Sequence, residues 1–427
     1  MTQETKQEKV IVLVPAWNSE NYLEESLTSL VRQTYKPLEV LVVNDGSTDK
    51  TKEILETYKK QHNNISCIDI ENNKGIVKAL NTGIDHIIKE HKEDILYVAR
   101  MDSDDICNDD RIIEQVTFLK SHPYVQILSS NVIVFSTNEP YIHTMKSGEQ
   151  KRIEYPSNPI AIDWSMFFYC PLNHPCVMFN WKQLSLDMCH YDDKYSGCED
   201  YYLWFRLLFD YNCIAMNLKQ PLLRLRKHSS NVSTVKSSQQ RHNALQVSFF
   251  YANQIISQFN KRNDQINDDQ KNEQHTSDIN KNDNNISVCN KEIWTLLRAL
   301  TTRANKMTSK QFQQCFDFID ILYQSFQYFS QQKWNKVKEN KLFLEKEMQT
   351  ELDGHFHEGM SWVTRDMHAR LGEIVTLCMQ TNIIDGFALL SRWKQKNPPS
   401  ELLRLFILSE FAFKLLIQKN LPNNLLF

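Results

Sequence analysis

The feature that most restricts the fold is an alternation of short apolar runs with amphipathic stretches over residues 10–105. The apolar runs predict four strands, at Val10–Pro15, Leu38–Asn44, Ile65–Ile70 and Ile95–Met101. The stretches that follow each run predict helices, at Asn21–Thr34, Asp49–Lys59, Ile76–Ile88 and Asp109–Ser121. Uninterrupted apolar strands separated by helices are typical of a parallel sheet covered by helices on both faces.

The rest of the chain divides by composition. Strands are predicted within Val125–Phe135 and Pro171–Asn180, a loop over 136–165, and a helix at Glu199–Phe209. Between 257 and 292 Asn, Asp, Lys and Gln dominate, so this segment is predicted to be a disordered linker. Residues 293–427 have a helical pattern. A small helical bundle is the simplest interpretation, and a partner-docking or membrane-surface helix at Leu402–Ile417 is the alternative.

Composition excludes several classes of protein. The net charge of −3 and the lack of a basic cluster argue against a nucleic-acid partner. No run of about 18 apolar residues predicts a transmembrane segment. The polar start has no signal-peptide layout. The ten cysteines include no CxxC pair, so we expect free thiols in a cytoplasmic protein, with peripheral membrane attachment as the alternative. The sequons at Asn231 and Asn285 are then expected to be unused.

Polar clusters follow all four predicted strands of the first region. They are Pro15-Ala16-Trp17-Asn18, Asn44-Asp45-Gly46-Ser47, Asn73-Lys74-Gly75 and Asp102-Ser103-Asp104-Asp105. In open parallel sheets ligands bind beyond the carboxyl ends of the strands, so these clusters predict a nucleotide pocket with a metal site. Neither GxGxxG nor GxxxxGK[ST] is present, which disfavours a dinucleotide site and a P-loop.

The last of these clusters carries three carboxylates within four residues. Their mutual repulsion is relieved by a hard divalent cation, and Mg²⁺ or Mn²⁺ binds through one or two carboxylates together with substrate phosphates. We therefore expect Asp102 and Asp104 to bind a metal and the diphosphate that it accompanies. Asp109 and Asp110 are expected only to cap the following helix.

Three residues near the first strands are candidates for contact with the nucleotide. Asp45 directly follows a buried strand, where it can accept the imide N–H of a uracil, and Trp17 can pack against the base or ribose. A turn-forming aspartate and a core tryptophan are the alternatives. Lys74 is either a phosphate partner or a solvated loop residue.

A group transfer from a nucleotide donor to an acceptor hydroxyl or amine also needs a base for the acceptor proton. Asp200, at the start of a predicted helix, is the candidate, although a helix N-terminus stabilises its anion and weakens it as a base. Helix capping is the alternative role, and Asp192 and Asp193 are rival bases. His228 is either a metal or phosphate ligand or an ordinary surface histidine.

Residues 9–235 resemble the family 2 glycosyltransferases, which have a GT-A fold: Rossmann-like, with a mainly parallel sheet flanked by helices. The resemblance lies in motifs that occur in the family's order. They are Val14–Asn18, Val43–Asp49, Asn73–Gly75 followed by Ala79, Asn81 and Gly83, Arg100–Asp105, Asn173–Pro175 with Val177–Phe179, Glu199–Asp200, and Arg226 with His228. The family's QxxRW element is missing, which disfavours a processive polysaccharide synthase.

The resemblance implies a role for each matching residue. Pro15, Trp17, Asn18 and Asp45 would hold the nucleoside, and Asp102 and Asp104 the diphosphate with Mn²⁺ or Mg²⁺. Asp200, with Glu199 beside it, would be the base of a single inverting displacement. His228 would lie near the diphosphate and metal, and His174 near the sugar or acceptor. Lys74, Arg100 and Ser103 complete the set expected to bind the nucleotide sugar.

The sequence thus predicts a GT-A glycosyltransferase domain at 9–235, a linker at 257–292 and a helical region at 293–427. The expected reaction moves a sugar from a nucleotide sugar, with a UDP-sugar favoured, to an unknown glycan, protein or lipid acceptor. A nucleotidyltransferase of similar fold and a catalytically inactive nucleotide-sugar-binding module are the alternatives.

Overall fold

The structure, a computed structural model, forms two compact units. It describes residues 8–91, 95–136, 149–184, 186–195, 197–228, 231, 237–273, 291–298, 307–339, 346–381, 385, 388–390 and 392. One unit comprises Met1–Ser248 with Val337–His355, and the other comprises Phe249–Lys336 with Phe356–Phe427.

The first unit is built on a single sheet. Its strands are β1 (Lys9–Ala16), β2 (Leu38–Asp45), β3 (Ile65–Ile70), β4 (Ile95–Arg100), β5 (Ile106–Cys107), β6 (Ile127–Ser136), β7 (Gln150–Ile153), β8 (Met178–Asn180) and β9 (Ala215–Lys227). They lie in the order β3-β2-β1-β4-β8-β6-β9-β5, and β7 pairs with β6 at the side.

The sheet is parallel in its first part and mixed in the rest. β1 pairs in parallel with β2 and β4, and β2 with β3. Short β8 lies antiparallel to both β4 and β6, and β9 runs parallel to β6. The predicted α/β fold is confirmed. The prediction of a mainly parallel sheet is also confirmed: the long ladders β1–β2, β1–β4, β2–β3 and β6–β9 are parallel, whereas the short strands β5, β7 and β8 pair antiparallel with their neighbours.

Helices of this unit pack their apolar stripes on the sheet. They are α1 (Leu23–Val31), α2 (Thr51–Gln61), α3 (Ile76–His91), α4 (Arg111–Ser121), α5 (Pro159–Ser165) and α6 (Glu199–Phe205), the last continued by a π-helical turn at Arg206–Asp210. In α3 the residues Leu80, Ile84 and Ile87 are buried at helical spacing. A Cβ on Gly83 would lie 2.3 Å from a Leu13 methyl carbon, so glycine permits a close approach between α3 and β1.

The order of the first four strands creates a topological switch. The chain runs outward from β1 through β2 to β3 and then returns to place β4 on the other side of β1. In open α/β sheets the ligand crevice lies at such a point, beyond the carboxyl ends of the two strands. Here that edge is marked by Ala16, at the end of β1, and Arg100, at the end of β4.

Two elements of the first unit depart from the sequence-based prediction. The long strand β9 was not predicted, because Asn217 and the Lys219–Pro221 stretch interrupt its apolar pattern. The β6–β9 register shifts on both sides of Asn131, whose partner on β9 is Pro221. Proline has no N–H to donate to a regular ladder, so it is tolerated at such an irregularity. The predicted loop at 136–165 is also partly wrong, since it contains β7 and α5, while 137–148 lie outside the described residues.

The remaining helices are α7 (Ser237–Glu273), α8 (Lys291–Arg298), α9 (Ser309–Glu339) and α10 (Lys346–Thr381). The last three agree with the helical pattern expected for the C-terminal region, whereas α7 was not predicted. Large buried aromatic side chains fill the second unit: Trp294, Phe312, Phe316, Phe326 and Trp334. The helix predicted at Leu402–Ile417 lies outside the described residues. Within the part of the chain that the structure describes, no helix combines the length and apolarity needed to span a bilayer.

The predicted linker overlaps one of these helices. Its first part, 257–273, is helical, because it continues α7 beyond the apolar stretch at 245–256 and adding residues to an existing helix costs little free energy. Residues 274–290 of the predicted linker lie outside the described residues.

Gly46, in the turn after β2, supports the fold through its backbone and is open to a direct test. Its φ is +63°, and a Cβ there would lie 2.5 Å from the backbone of Asn72 and Asn73. We expect Gly46→Ala to lower the free energy of unfolding by more than the roughly 1–2 kcal/mol of left-handed strain alone. The measurement is urea unfolding.

Gly75→Ala is the matched control for this substitution. Gly75 also has a positive φ, +89°, but a Cβ there meets no atom within 4 Å. In Gly75→Ala the free energy of unfolding should therefore fall only by the contribution of left-handed backbone strain. Equal losses in the two variants would contradict the close backbone approach at Gly46.

Candidate active site

The loop after β1 is tied to the loop after β2. The Asn18 side chain accepts a hydrogen bond from the Thr48 amide at 2.9 Å, and the Asn18 amide donates to Ser47 Oγ at 3.0 Å. Asn18 has a positive φ of 48°. Beside it Trp17 is 53% exposed, which rules out a core role for that ring, whereas Pro15 is buried within β1.

Asp45 fastens a second loop to the end of β2. Its carboxylate accepts the Lys74 amide on one oxygen and the Gly75 amide on the other, both at 2.8 Å, and its side chain is buried. The Lys74 side chain is exposed. Asp45 therefore has a structural role, and the predicted contact with uracil would use the lone pairs that these two amides leave available.

The acidic turn after β4 brings three carboxylates together. Ligand oxygens of Asp102, Asp104 and Asp105 lie within 4.8 Å of one another. Burial, together with repulsion from Asp104, raises the pKa of both Asp102 and Asp105. Asp105 is almost fully buried, and its Oδ2 has no hydrogen-bond partner among the described residues. Clustered carboxylate oxygens with raised pKa values are a donor set that fits a hard divalent cation.

Ser103, between these carboxylates, points to the loop after β1. Its hydroxyl lies 2.8 Å from the Ser19 hydroxyl, and both side chains are buried. This contact joins the carboxyl ends of β1 and β4, so Ser103 supports the turn from within the protein.

Arg100 ends β4 and is buried beside the turn. Its Nη2 lies 2.5 Å from Asp102 Oδ1, while its Nε and Nη1 have no hydrogen-bond partner among the described residues. Buried N–H groups without partners are costly, and such groups are a common feature of ligand sites. Arg111 of α4 fixes this strand end by donating to the Arg100 carbonyl oxygen at 2.8 Å.

His228 and Asn231 converge on Asp104 from the end of β9. His228 Nε2 lies 2.9 Å from Asp104 Oδ2, and the Asn231 amide nitrogen donates to the same oxygen at 3.1 Å. The imidazole packs on the ring of Tyr22, with ring centroids 4.6 Å apart. His228 is buried rather than a surface histidine. The role of Asn231 was missed, because its sequence signal was only that of a sequon.

Asp200 and Glu199 begin α6. Asp200 Oδ1 accepts the Tyr201 amide at 2.7 Å, and Glu199 Oε2 accepts the Gly197 amide at 2.8 Å. Burial and the neighbouring Glu199 raise the pKa of Asp200 to about 7. The expectation that the helix N-terminus would favour its anion is therefore wrong, since burial outweighs the helix terminus.

The charges of Arg100 and Asp102 also act on the pKa of Asp200, so the base candidate lies near the acidic turn. The rival bases are placed differently. Asp192 accepts the Lys194 amide at 2.9 Å in a short turn, and Asp193 is exposed.

His174 belongs to the same cluster through Tyr191. Its Nε2 lies 2.7 Å from the Tyr191 hydroxyl, and burial together with the Arg100 charge lowers its pKa well below the usual value. His174 is thus a neutral imidazole at physiological pH. The backbone of Tyr191 is held by two 2.8 Å hydrogen bonds with the Asn81 side chain. No sequence pattern indicated Tyr191.

Comparison with known proteins identifies the kind of site. A family model, Glycosyl transferase family 2, matches residues 11–176. Over 414 residues, 90% of the chain, the sequence is 26% identical to the Bifunctional glycosyltransferase pgtA of Dictyostelium discoideum and spans about half of that protein, 48%. Over 205 residues, 47% of the chain, it is 31% identical to an uncharacterized glycosyltransferase of Haemophilus influenzae, covering 69% of it.

A solved structure is also similar. S. aureus TarS 1-349 in complex with UDP-GlcNAc has a TM-score of 0.44 and 17% identity, and the match covers 82% of this chain and 92% of that chain. The family match includes the acidic turn and His174 but ends before Asp200, Arg226 and His228. The placement of those three residues in the site therefore rests on the structure of this chain and not on the family match.

The raised pKa of Asp200 predicts a pH-dependent effect of Asp200→Asn on stability. A carboxyl whose pKa is higher in the folded protein than in the unfolded chain destabilises the folded protein once the pH exceeds its pKa in the unfolded chain. The destabilisation is complete when the pH exceeds the pKa in the folded protein, here about 7. The amide mimics the protonated acid. We expect thermal unfolding to show a higher Tm for the variant at about pH 8, with a smaller difference at about pH 5.

Asp193→Asn, at an exposed position, is the control and should shift Tm little at either pH. A stabilisation by Asp200→Asn that is equal at both pH values would show that the carboxyl of Asp200 is not perturbed.

Proposed function

The chain belongs to glycosyl transferase family 2, and from this premise we propose that its first unit transfers a sugar from a nucleotide-sugar donor to an acceptor hydroxyl or amine. The observation that carries the proposal is the convergence of the acidic turn, Arg100 and Asp200 at the switch between β1 and β4. The turn suits a diphosphate with its cation, and the raised pKa of Asp200 suits a base.

The nucleoside would bind at the ends of β1 and β2. The exposed ring of Trp17 offers a face for the base or ribose, and Asn18 and Asp45 fix the two loops around it. A uracil base fits because Asp45 can accept an imide N–H. Lys74, exposed beside the Asp45-bound loop, is available to pair with phosphate.

Asp102 and Asp104, with His228 beside Asp104, would hold Mn²⁺ or Mg²⁺. When bound, such a cation offsets the negative charge that develops on a departing diphosphate. The buried Arg100 would donate its two unpartnered N–H groups to oxygens of the donor, and this contact would offset the cost of burying them.

Asp200 would act on the acceptor. Its carboxylate takes the proton of the acceptor O–H or N–H while the acceptor atom forms a bond to the anomeric carbon of the sugar. The bond from that carbon to the diphosphate oxygen breaks on the opposite face, and the nucleoside diphosphate leaves. A single displacement of this kind inverts the anomeric configuration.

Two neighbours would tune this step. Glu199 raises the pKa of Asp200, which strengthens it as a base near neutral pH. Neutral His174, held by the Tyr191 hydroxyl, can hydrogen-bond the sugar or the acceptor without adding charge.

Substitution of the acidic turn tests the metal-dependent part of the proposal. We expect Asp104→Ala to abolish transfer and donor hydrolysis in a screen of several nucleotide sugars with Mn²⁺. It should also remove the gain in UDP affinity that Mn²⁺ brings to the wild-type protein, as measured by calorimetry. Asp109→Ala is the matched control, because the Asp109 carboxylate is half-exposed and pairs with Arg32. This variant should keep both transfer activity and the gain in UDP affinity that Mn²⁺ brings. Metal-stimulated transfer that survives in Asp104→Ala would disprove this role for the turn.

A second substitution tests the base. We expect Asp200→Asn to keep UDP affinity but to lose transfer by at least ~10², a typical general-base contribution. In the wild-type protein kcat/KM should rise with pH through about 7, because Asp200 must be ionised to accept the proton, and the variant should lack this rise. Unchanged transfer in the variant would exclude Asp200 from the mechanism.

A further inference from the structure

The side chain of Arg226, near the end of β9, is almost completely buried between the acidic turn and α1. Its Nε donates to the Asp104 carbonyl oxygen at 2.6 Å, and its Nη2 donates to Glu25 Oε2 at 2.6 Å. Its backbone amide donates to Asp105 Oδ1 at 2.8 Å. One residue thus contacts two of the three aspartates of the turn.

Two aromatic rings confine the same guanidinium. Its central carbon lies 4.9 Å from the ring centroid of Tyr22 and 4.8 Å from that of Phe135. Cation–π contacts and two charge-assisted hydrogen bonds together leave the Arg226 side chain little rotational freedom. The proposed transfer makes no use of this side chain as a base, a metal ligand or a nucleotide contact.

We infer that Arg226 is a positioning residue, which holds the Asp104 peptide so that the Asp104 carboxylate keeps the orientation needed to bind a divalent cation. The inference rests on the proposed function. Three neighbouring carboxylates repel one another, so the turn needs donors from outside it to stay closed. Arg226 holds the backbone of the turn, and His228, which directly follows β9, holds the Asp104 side chain.

Charge alone makes the opposite prediction. If Arg226 only neutralised the turn, its removal would leave a more negative site that binds a cation more tightly. If Arg226 positions Asp104, its removal weakens cation binding even though a positive charge is lost. Lysine keeps the charge but not the planar set of donors, so Arg226→Lys should resemble Arg226→Gln rather than the wild-type protein.

The test is Mn²⁺ binding in the presence of UDP, followed by electron paramagnetic resonance of the free ion. We expect both Arg226→Gln and Arg226→Lys to weaken Mn²⁺ binding by about 10-fold or more, the usual effect of removing an outer partner of a metal ligand. Transfer should then need a higher Mn²⁺ concentration, while kcat at saturating Mn²⁺ should recover towards the wild-type value.

Arg224→Gln is the matched control. Arg224 lies two residues earlier on β9, over the same Phe135 ring at 4.6 Å, and among the described residues it makes no hydrogen bond to the acidic turn. Its substitution should leave Mn²⁺ affinity unchanged. Phe135→Leu covers the case in which the Arg226 variants do not fold. It removes a ring from beside Arg226 without changing charge, and it should weaken Mn²⁺ binding by a smaller factor.

Wild-type or tighter Mn²⁺ affinity in a folded Arg226→Gln protein would overturn the inference and leave the proposed function intact. Wild-type affinity in Phe135→Leu, where the Arg226 variants are unfolded, would overturn it as well. If the wild-type protein itself binds no Mn²⁺ with UDP, both the inference and the metal-dependent part of the proposed function are wrong.

Discussion

The site depends on holding three like charges together in one turn. Ligand oxygens of Asp102, Asp104 and Asp105 lie within 4.8 Å of one another, so the three carboxylates repel one another. The surrounding elements oppose this repulsion: Arg100 pairs with Asp102, His228 contacts Asp104, and the Arg226 amide binds Asp105. Burial, together with the repulsion that remains, raises the pKa of both Asp102 and Asp105. In the proposed function a divalent cation would remove this repulsion, so the strain of the turn in the free protein would favour cation binding.

Burial also shifts the pKa values of two groups outside the acidic turn. Asp200 has a pKa of about 7 because it is buried beside Glu199, so near neutral pH it is both ionisable and basic. His174 is neutral because burial and the Arg100 charge disfavour its protonated form. Arg100 remains charged with two N–H groups that have no partner among the described residues. A fold optimised for stability would pair those groups, and the donor contact that we propose for Arg100 is a functional reason to leave them unpaired.

Sequence patterns predicted the parts of this structure that are locally determined. β1 to β4 are recognisable because buried parallel strands are continuously apolar, and the acidic turn is recognisable because clustered carboxylates are chemically unusual. β9 was missed because Pro221 and nearby polar residues break its pattern, and its stability comes from pairing with β6. The pKa of Asp200 was predicted in the wrong direction, because sequence shows the helix start but not the burial. Tyr191 and Asn231 gave no usable signal, since their contacts join residues distant in the chain.

The missed strand is also the one that completes the site. Arg226 is the next-to-last residue of β9 and His228 directly follows the strand; side chains two residues apart along an extended chain lie on the same face, so both can reach the same turn. The β6–β9 pairing fixes that register, matching Phe135 with Arg226 and Ser136 with Lys227. A slip by one residue would turn both side chains to the other face, away from Asp104. The composition of the acidic motif therefore comes from its own four residues, but the contacts that hold Asp104 form only when a strand more than a hundred residues later is in register.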